Sequence, residues 1–127
     1  MITKYNIFLD DIRVPTDVTW VHVPVDQHYS VVRSYKEFVD LITLRGEVPK
    51  YVCYDHDLAD IHYGHGLNND EIPYDSYKEK TGYDCAKWLV GYCFAKKIKH
   101  PPYVVHSMNP IGKQNIESYI NSYNKAL

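Results

Sequence analysis

The stretch Tyr51-Val52-Cys53-Tyr54-Asp55-His56-Asp57 ends a short apolar run abruptly on three chemistry-bearing side chains. The same thing happens twice more. Ile7-Phe8-Leu9 stops on Asp10-Asp11, and Tyr103-Val104-Val105 stops on His106-Ser107. Short runs rich in β-branched and aromatic residues and bounded by turn formers read as buried strands. Between them lie longer stretches with helical periodicity, so strands alternate with helices, which implies parallel pairing through right-handed crossovers. In an open parallel sheet, ligands gather beyond the carboxyl ends of the strands, and three decorated endings there point to one site.

Working outward, Tyr5 to Leu9 reads as the first strand and residues 10–17, with Pro15, as a loop. Val18 to Val23 reads as an extended segment halted by Pro24. Tyr29 to Arg33 is a further strand, followed by a helix that Ser34 caps and that buries Tyr35, Phe38, Val39 and Ile42. Residues 58–80 form a long polar loop whose His62 and His65 lack any metal-ligand spacing and read as solvated. Thr81 caps the next helix, with Asp84 three positions on, and the predicted core face is Tyr83, Ala86, Leu89, Val90, Cys93 and Phe94. Pro110 suits the first position of a last helix with core face Ile116, Tyr119, Ile120, Tyr123 and Leu127. His22, His28 and His100 read as surface residues.

The 127 residues fit a single domain, 1–127, of α/β class: a three-layer, mostly parallel sheet of four to five strands flanked by helices. With 45% hydrophobic and 24% charged residues the chain is of ordinary globular composition. A net charge of −2 disfavours duplex DNA and anionic membranes as partners, while leaving room for a small phosphorylated nucleotide-type ligand bound by local cations. Cys53, Cys85 and Cys93 lack CxxC spacing and lie in apolar stretches, as reduced buried thiols do. The absence of a secretory leader and of any long apolar span predicts a cytoplasmic protein. Lys outnumbers Arg, a bias of AT-rich bacterial and phage genomes. No P-loop, GxSxG or dinucleotide-binding glycine pattern occurs.

With the first strand central, the Tyr29 strand on one side and the Tyr51 and Tyr103 strands following on the other, distance divides the roles. Adjacent strands lie about 4.8 Å apart, so Asp10, Asp11 and Asp55 are placed to share a divalent cation, which would relieve their mutual repulsion. Oxygen donors favour Mg²⁺ or Mn²⁺, and recruitment of histidine would tilt the choice towards Zn²⁺ or Fe²⁺. His106, two strands or roughly 10 Å from Asp10, is expected to face the substrate. His56 and His106, with Asp57 to orient His56, are the candidate catalytic groups. Arg13, Ser107 and Asn109 are candidate phosphate ligands, with Gly112 allowing close approach at the last helix.

The motifs IFLDDIRVP, YVCYDHDL, TGYD and VVHSMNPIG, in this order, resemble those of the cyclic-phosphate processing receivers. That resemblance implies a receiver-like (flavodoxin-like) α/β fold and metal-assisted hydrolysis of cyclic phosphates. Asp10, Asp11, Asp55, His56, Asp57, His106, Ser107 and Asn109 fall on the family's motif positions. Response-regulator receivers share the acidic pair, the middle Asp and the later Ser, but no later strand here carries their phosphate-contacting lysine, and the loop around Pro15 stands where their first helix would be. The sequence therefore predicts a metal-dependent phosphoesterase acting on a cyclic phosphate of a small nucleotide-derived or RNA-end substrate. The alternative is a non-catalytic module binding a phosphorylated ligand or a protein, with phosphoacceptor signalling through Asp55 a third reading.

Overall fold

The structure, a computed structural model, describes residues 5–24, 28–58 and 80–127. Four parallel strands, β1 (Asn6–Leu9), β2 (Tyr29–Val32), β3 (Tyr51–Tyr54) and β4 (Tyr103–Val105), form one sheet in the order β2-β1-β3-β4. Three helices complete the described elements: α1 (Tyr35–Arg45), α2 (Gly82–Lys96) and α3 (Pro110–Ala126). The fold is the receiver-like α/β arrangement with the expected strand order. The loop that carries His62 and His65 lies outside the described residues.

Local chemistry starts and stops the helices where the sequence places them. Ser34 accepts a hydrogen bond from the Glu37 N–H at the start of α1, and Gly46 ends it at φ 72°, a conformation that favours glycine. Thr81 and Asp84 form a reciprocal capping box on α2. Asn109 caps α3 with Pro110 in its first turn.

Strand alternation decides what each face of the sheet meets. Ile7, Leu9, Val52, Tyr54 and Val105 pack with Phe38 and Ile42 of α1, Ala86 and Leu89 of α2, and Ile116 and Ile120 of α3. All three helices thus cover one face. On the other face Phe8 and Cys53 meet Val18 and Val23, so the loop after β1, including a short 3-10 turn Pro15–Asp17, supplies the third layer. The segment Val18 to Val23 joins no strand of the sheet: β2 and β3 occupy both edges of β1, and its Val18 and Val23 cover the sheet instead.

Three packing expectations change. Phe94 is exposed, because it continues the solvent stripe Lys87, Gly91, Phe94, and Cys85 takes a core position instead. Leu127 and Tyr119 are exposed, and the core stripe of α3 is Gly112, Ile116 and Ile120. His100 is buried rather than on the surface. The Pro101 carbonyl can only accept, so His100 Nδ1–H donates to it at 2.6 Å, leaving Nε2 to accept from the Tyr54 hydroxyl at 2.6 Å. All three cysteines are free and buried, and burial pushes the Cys53 thiol up to about 12. No helix among the described residues is long and apolar enough to cross a membrane.

Burial holds His100 neutral, its pKa lowered from 6.5 to about 4. The unfolded chain takes up that proton at higher pH, so the stability His100 contributes is complete above pH 6.5 and lost as pH falls towards 4, by about 3 kcal/mol. Urea unfolding of the native protein and of His100→Gln across this window is expected to give curves whose difference shrinks as the solution is acidified. A constant difference would contradict the buried neutral ring.

Candidate functional site

The sheet's hydrogen-bond ladder continues one residue past the strands, and each extra rung carries a site residue. Asp10 N–H donates to Val32 O at 3.1 Å, Asp55 N–H to Leu9 O at 3.0 Å and His106 N–H to Tyr54 O at 2.9 Å. By the period of two, these three side chains fall on the same face as Phe8, Cys53 and Val104, the face covered by the loop rather than by helices. Ligating atoms of Asp10, Asp55 and His106 lie within 4.8 Å of one another, and all three residues are buried.

His106 does not face the substrate side as spacing predicted. Its ring lies flat on Phe8, centroids 4.6 Å apart at 5°, and its Nε2 reaches Asp10 Oδ2 at 2.9 Å, leaving the side chain fully buried. The roughly 10 Å between the strands holds before side chains reach inward, and the His106 ring, reaching across the end of β3, closes that gap. Asp10 Oδ1 accepts the N–H groups of Ile12 and Arg13, at 2.9 and 2.8 Å, which turns the chain away from β1. Burial alone would raise the Asp10 carboxyl, but the His106 hydrogen bond and these two backbone donors outweigh it and hold Asp10 well below the ordinary carboxylate range. Asp55 moves the other way, to about 6, through burial first and then repulsion by the Asp10 charge.

Above this floor opens a cavity of about 430 Å³ lined by Asp11, Arg13, Asp55, Asp57, Ser107, Met108, Asn109 and Pro110. Asp11 is therefore on the wall rather than in the buried cluster. Arg13 contributes the cationic group of the lining, with its guanidinium 3.6 Å from Asp10 Oδ2. Ser107 Oγ accepts the Asn109 N–H at 3.1 Å and keeps its own proton for the cavity. Asn109 is already engaged at both ends of its amide: Oδ1 caps Gly112 N–H at 2.9 Å and Nδ2 donates to both Asp57 oxygens at 3.3 Å. His56 Nδ1 meets Asp57 Oδ1 at 2.8 Å, so Asp57 orients His56 and Asn109 orients Asp57.

Three residues outside the predicted set, Gly82, Arg33 and Trp20, help build the site, and Gly112 serves it in another way than expected. Gly82 starts α2 against the end of β3, where a Cβ would lie 1.7 Å from the Asp55 carbonyl oxygen. Gly112, expected to admit a phosphate, admits the His56 ring instead, since its Cβ would lie 2.3 Å from His56 Cγ. Glycine in the first turn of a helix was the available signal, because it costs helix stability and calls for a steric reason. Arg33 donates through one nitrogen to the carbonyls of Asp10 and Arg13, at 3.1 and 2.7 Å, and Trp20 Nε1–H donates to the His106 carbonyl at 2.7 Å. Nothing local in the sequence signals either contact.

The sequence pattern of the cyclic-phosphate processing receiver domain matches residues 5–122. The chain belongs to this family. No curated protein and no solved structure shows significant similarity to it. Acidic side chains follow two neighbouring parallel strands, Asp10 and Asp11 after β1 and Asp55 after β3, and His106 follows β4. Asp11, Asp55 and Asp57 share one cavity wall with Arg13 as the cation of that lining, and burial first and then the Asp10 charge raise the Asp55 carboxyl, so oxygen donors that could hold a divalent cation meet there.

Two measurements follow. With a folded pKa raised from 3.8 to about 6, Asp55 contributes stability that is complete below pH 3.8 and lost as pH rises through 6. Metal-free Asp55→Asn is therefore expected to be more stable than the native protein at pH 7.5, by up to about 3 kcal/mol, with the gain vanishing near pH 4. Equal stability at both pH values would contradict the charge crowding. Gly82→Ala is expected to unfold the protein or cost more than about 3 kcal/mol, as overpacking against backbone does. Gly91→Ala on the same helix, where a Cβ meets nothing within 4 Å, is expected to stabilise by up to about 1 kcal/mol.

Proposed function

We propose that this domain is a metal-dependent phosphoesterase that opens a cyclic phosphate on a small nucleotide-derived or RNA-end substrate. The observation that carries the reading is the buried convergence of Asp10, Asp55 and His106 directly beneath an acidic cavity of small-molecule size. A structural salt-bridge network would not need three carboxylates on one open wall. Held by Asp10, Asp11 and Asp55, Mg²⁺ or Mn²⁺ would supply positive charge to the phosphoryl oxygens and acidify a water. The oxygens of Asp10, Asp11 and Asp55 favour these two ions, while His106, whose Nε2 is engaged by Asp10 and whose buried Nδ1 has no hydrogen-bond partner, would tilt the choice towards Zn²⁺ or Fe²⁺ if that nitrogen were recruited.

The chain's own groups then divide the work. Arg13 and the Ser107 hydroxyl face the cavity and bind phosphoryl oxygens, and Asn109 joins them by releasing Asp57. Asp57, a carboxylate, accepts from His56 Nδ1–H, which leaves His56 Nε2 as the basic nitrogen. His56 takes a proton from water as it adds to phosphorus, one ring P–O bond breaks, and the proton passes to the departing alkoxide. The product is an open phosphomonoester with a free hydroxyl. His106 acts from beneath, keeping Asp10 ionised and fixed.

A second reading, a non-catalytic module for a phosphorylated ligand or a protein, draws on the closed geometry of His106 and Asp10, which is that of a structural clasp. Incubation with 2′,3′-cyclic nucleotides and Mg²⁺ or Mn²⁺, followed by ³¹P NMR, separates the two. The proposal expects ring-opened monoester, a fall of about 10²-fold or more in kcat for His56→Gln, and a similar loss for Asp55→Asn. Saturable binding without turnover under both metals would select the binding module.

A further inference from the structure

Much of the cavity's surroundings is apolar, which the phosphate chemistry does not require. Ile12, Val14 and Trp20 on the loop after β1, Met108 in the turn before α3 and Ile111 in its first turn are exposed large apolar side chains, and Met108 lies on the cavity wall itself. Single exposed apolar residues such as Leu44 occur elsewhere, but five on the two segments that supply Arg13, Ser107 and Asn109 to the cavity suit a ligand with an apolar part.

Trp20 is the organised member of this rim. Its only polar atom is spent on the His106 carbonyl, so what it offers to a ligand is ring surface, 37% of the residue being exposed. That bond anchors the indole beside the segment carrying Ser107 and Met108, both on the cavity wall. The Arg13 guanidinium, also on the wall, rests 5.1 Å from the indole centroid. The indole and the phosphate-binding groups are thus joined through Arg13 on one side and His106 on the other. A bare phosphate or a phosphorylated carboxylate would use the floor and leave the rim idle.

We propose that Trp20, with Met108, is the base-binding element of the site, stacking the nucleobase of a cyclic nucleotide whose phosphate enters between Arg13 and Ser107. The inference rests on the cyclic-phosphate reading above and adds what selects among cyclic phosphates. Stacking on an aromatic face tolerates any base, so it distinguishes nucleotides from cyclic phosphates that lack one.

The test uses the full chain carrying Trp88→Phe, which leaves Trp20 as its sole tryptophan. Two probes are compared in Mg²⁺ or Mn²⁺, 2′,3′-cyclic AMP and glycerol 1,2-cyclic phosphate, reading Trp20 fluorescence and apparent Kd, or KM where the probe turns over. The proposal expects cyclic AMP to quench Trp20 and to bind tighter than the base-free probe. Trp20→Leu should weaken cyclic AMP by about tenfold or more beyond any weakening of the base-free probe, while Trp20→Phe, which keeps a ring and loses the bond to the His106 carbonyl, retains most of the preference. Equal affinity for both probes, or equal weakening of both by Trp20→Leu, overturns the base-binding role while the cyclic-phosphate reading stands. A concentration-dependent change of Trp20 emission without ligand, with no response to cyclic AMP, makes the rim a contact between copies of the chain and overturns it likewise. Failure of both probes to bind or react overturns the cyclic-phosphate reading, and this inference with it.

Discussion

The hydrogen-bond ladder of the parallel sheet, carried one rung beyond β1, β3 and β4, is the constraint on which the rest of the site depends. Each added rung fixes the backbone of one chemistry-bearing residue against the neighbouring strand: Asp10 on Val32, Asp55 on Leu9, His106 on Tyr54. Because successive residues point to opposite faces, that register also decides that all three side chains turn away from the helices. They meet on the face that, among the described residues, the loop after β1 covers, and the cavity opens there.

Electrostatics follows from this crowding. Two buried carboxylates on neighbouring strands cannot both be comfortably ionised without compensation. His106 and two backbone donors compensate Asp10, while burial first and the Asp10 charge second push the Asp55 carboxyl up to about 6. The same division separates structure from chemistry. The stabilised carboxylate lies beneath the floor, clasped by a ring stacked on Phe8, and the destabilised one reaches the cavity.

Much of this was legible in the sequence. Alternation of apolar runs and helical stripes gave the parallel sheet and its order, and Ser34, Thr81 and Asn109 marked the helix starts through capping chemistry that acts within three residues. The acidic strand ends were visible because they interrupt apolar runs. What was hidden depends on contacts between distant parts of the chain: the Asp10 to His106 bond spans 96 positions, and the Trp20 to His106 bond spans 86. Spacing between strands placed the backbones of Asp10 and His106 well and their side chains badly, since a ring lying flat on Phe8 closes most of the gap. His100 misled for a related reason: a histidine between a lysine and two prolines reads as surface, and only the Tyr54 hydroxyl beneath it explains its burial.

The claim that joins fold to function is that the acidic strand ends form one cation site with Asp55 at its centre. Titrating Mn²⁺ into the full chain while reading the free ion by electron paramagnetic resonance tests it without reference to any substrate. The account predicts one bound ion per chain in the native protein and loss of that binding in Asp55→Asn, with binding retained in His56→Gln. Mn²⁺ that stays free at millimolar concentration, or that binds Asp55→Asn as well as the native protein, would contradict it.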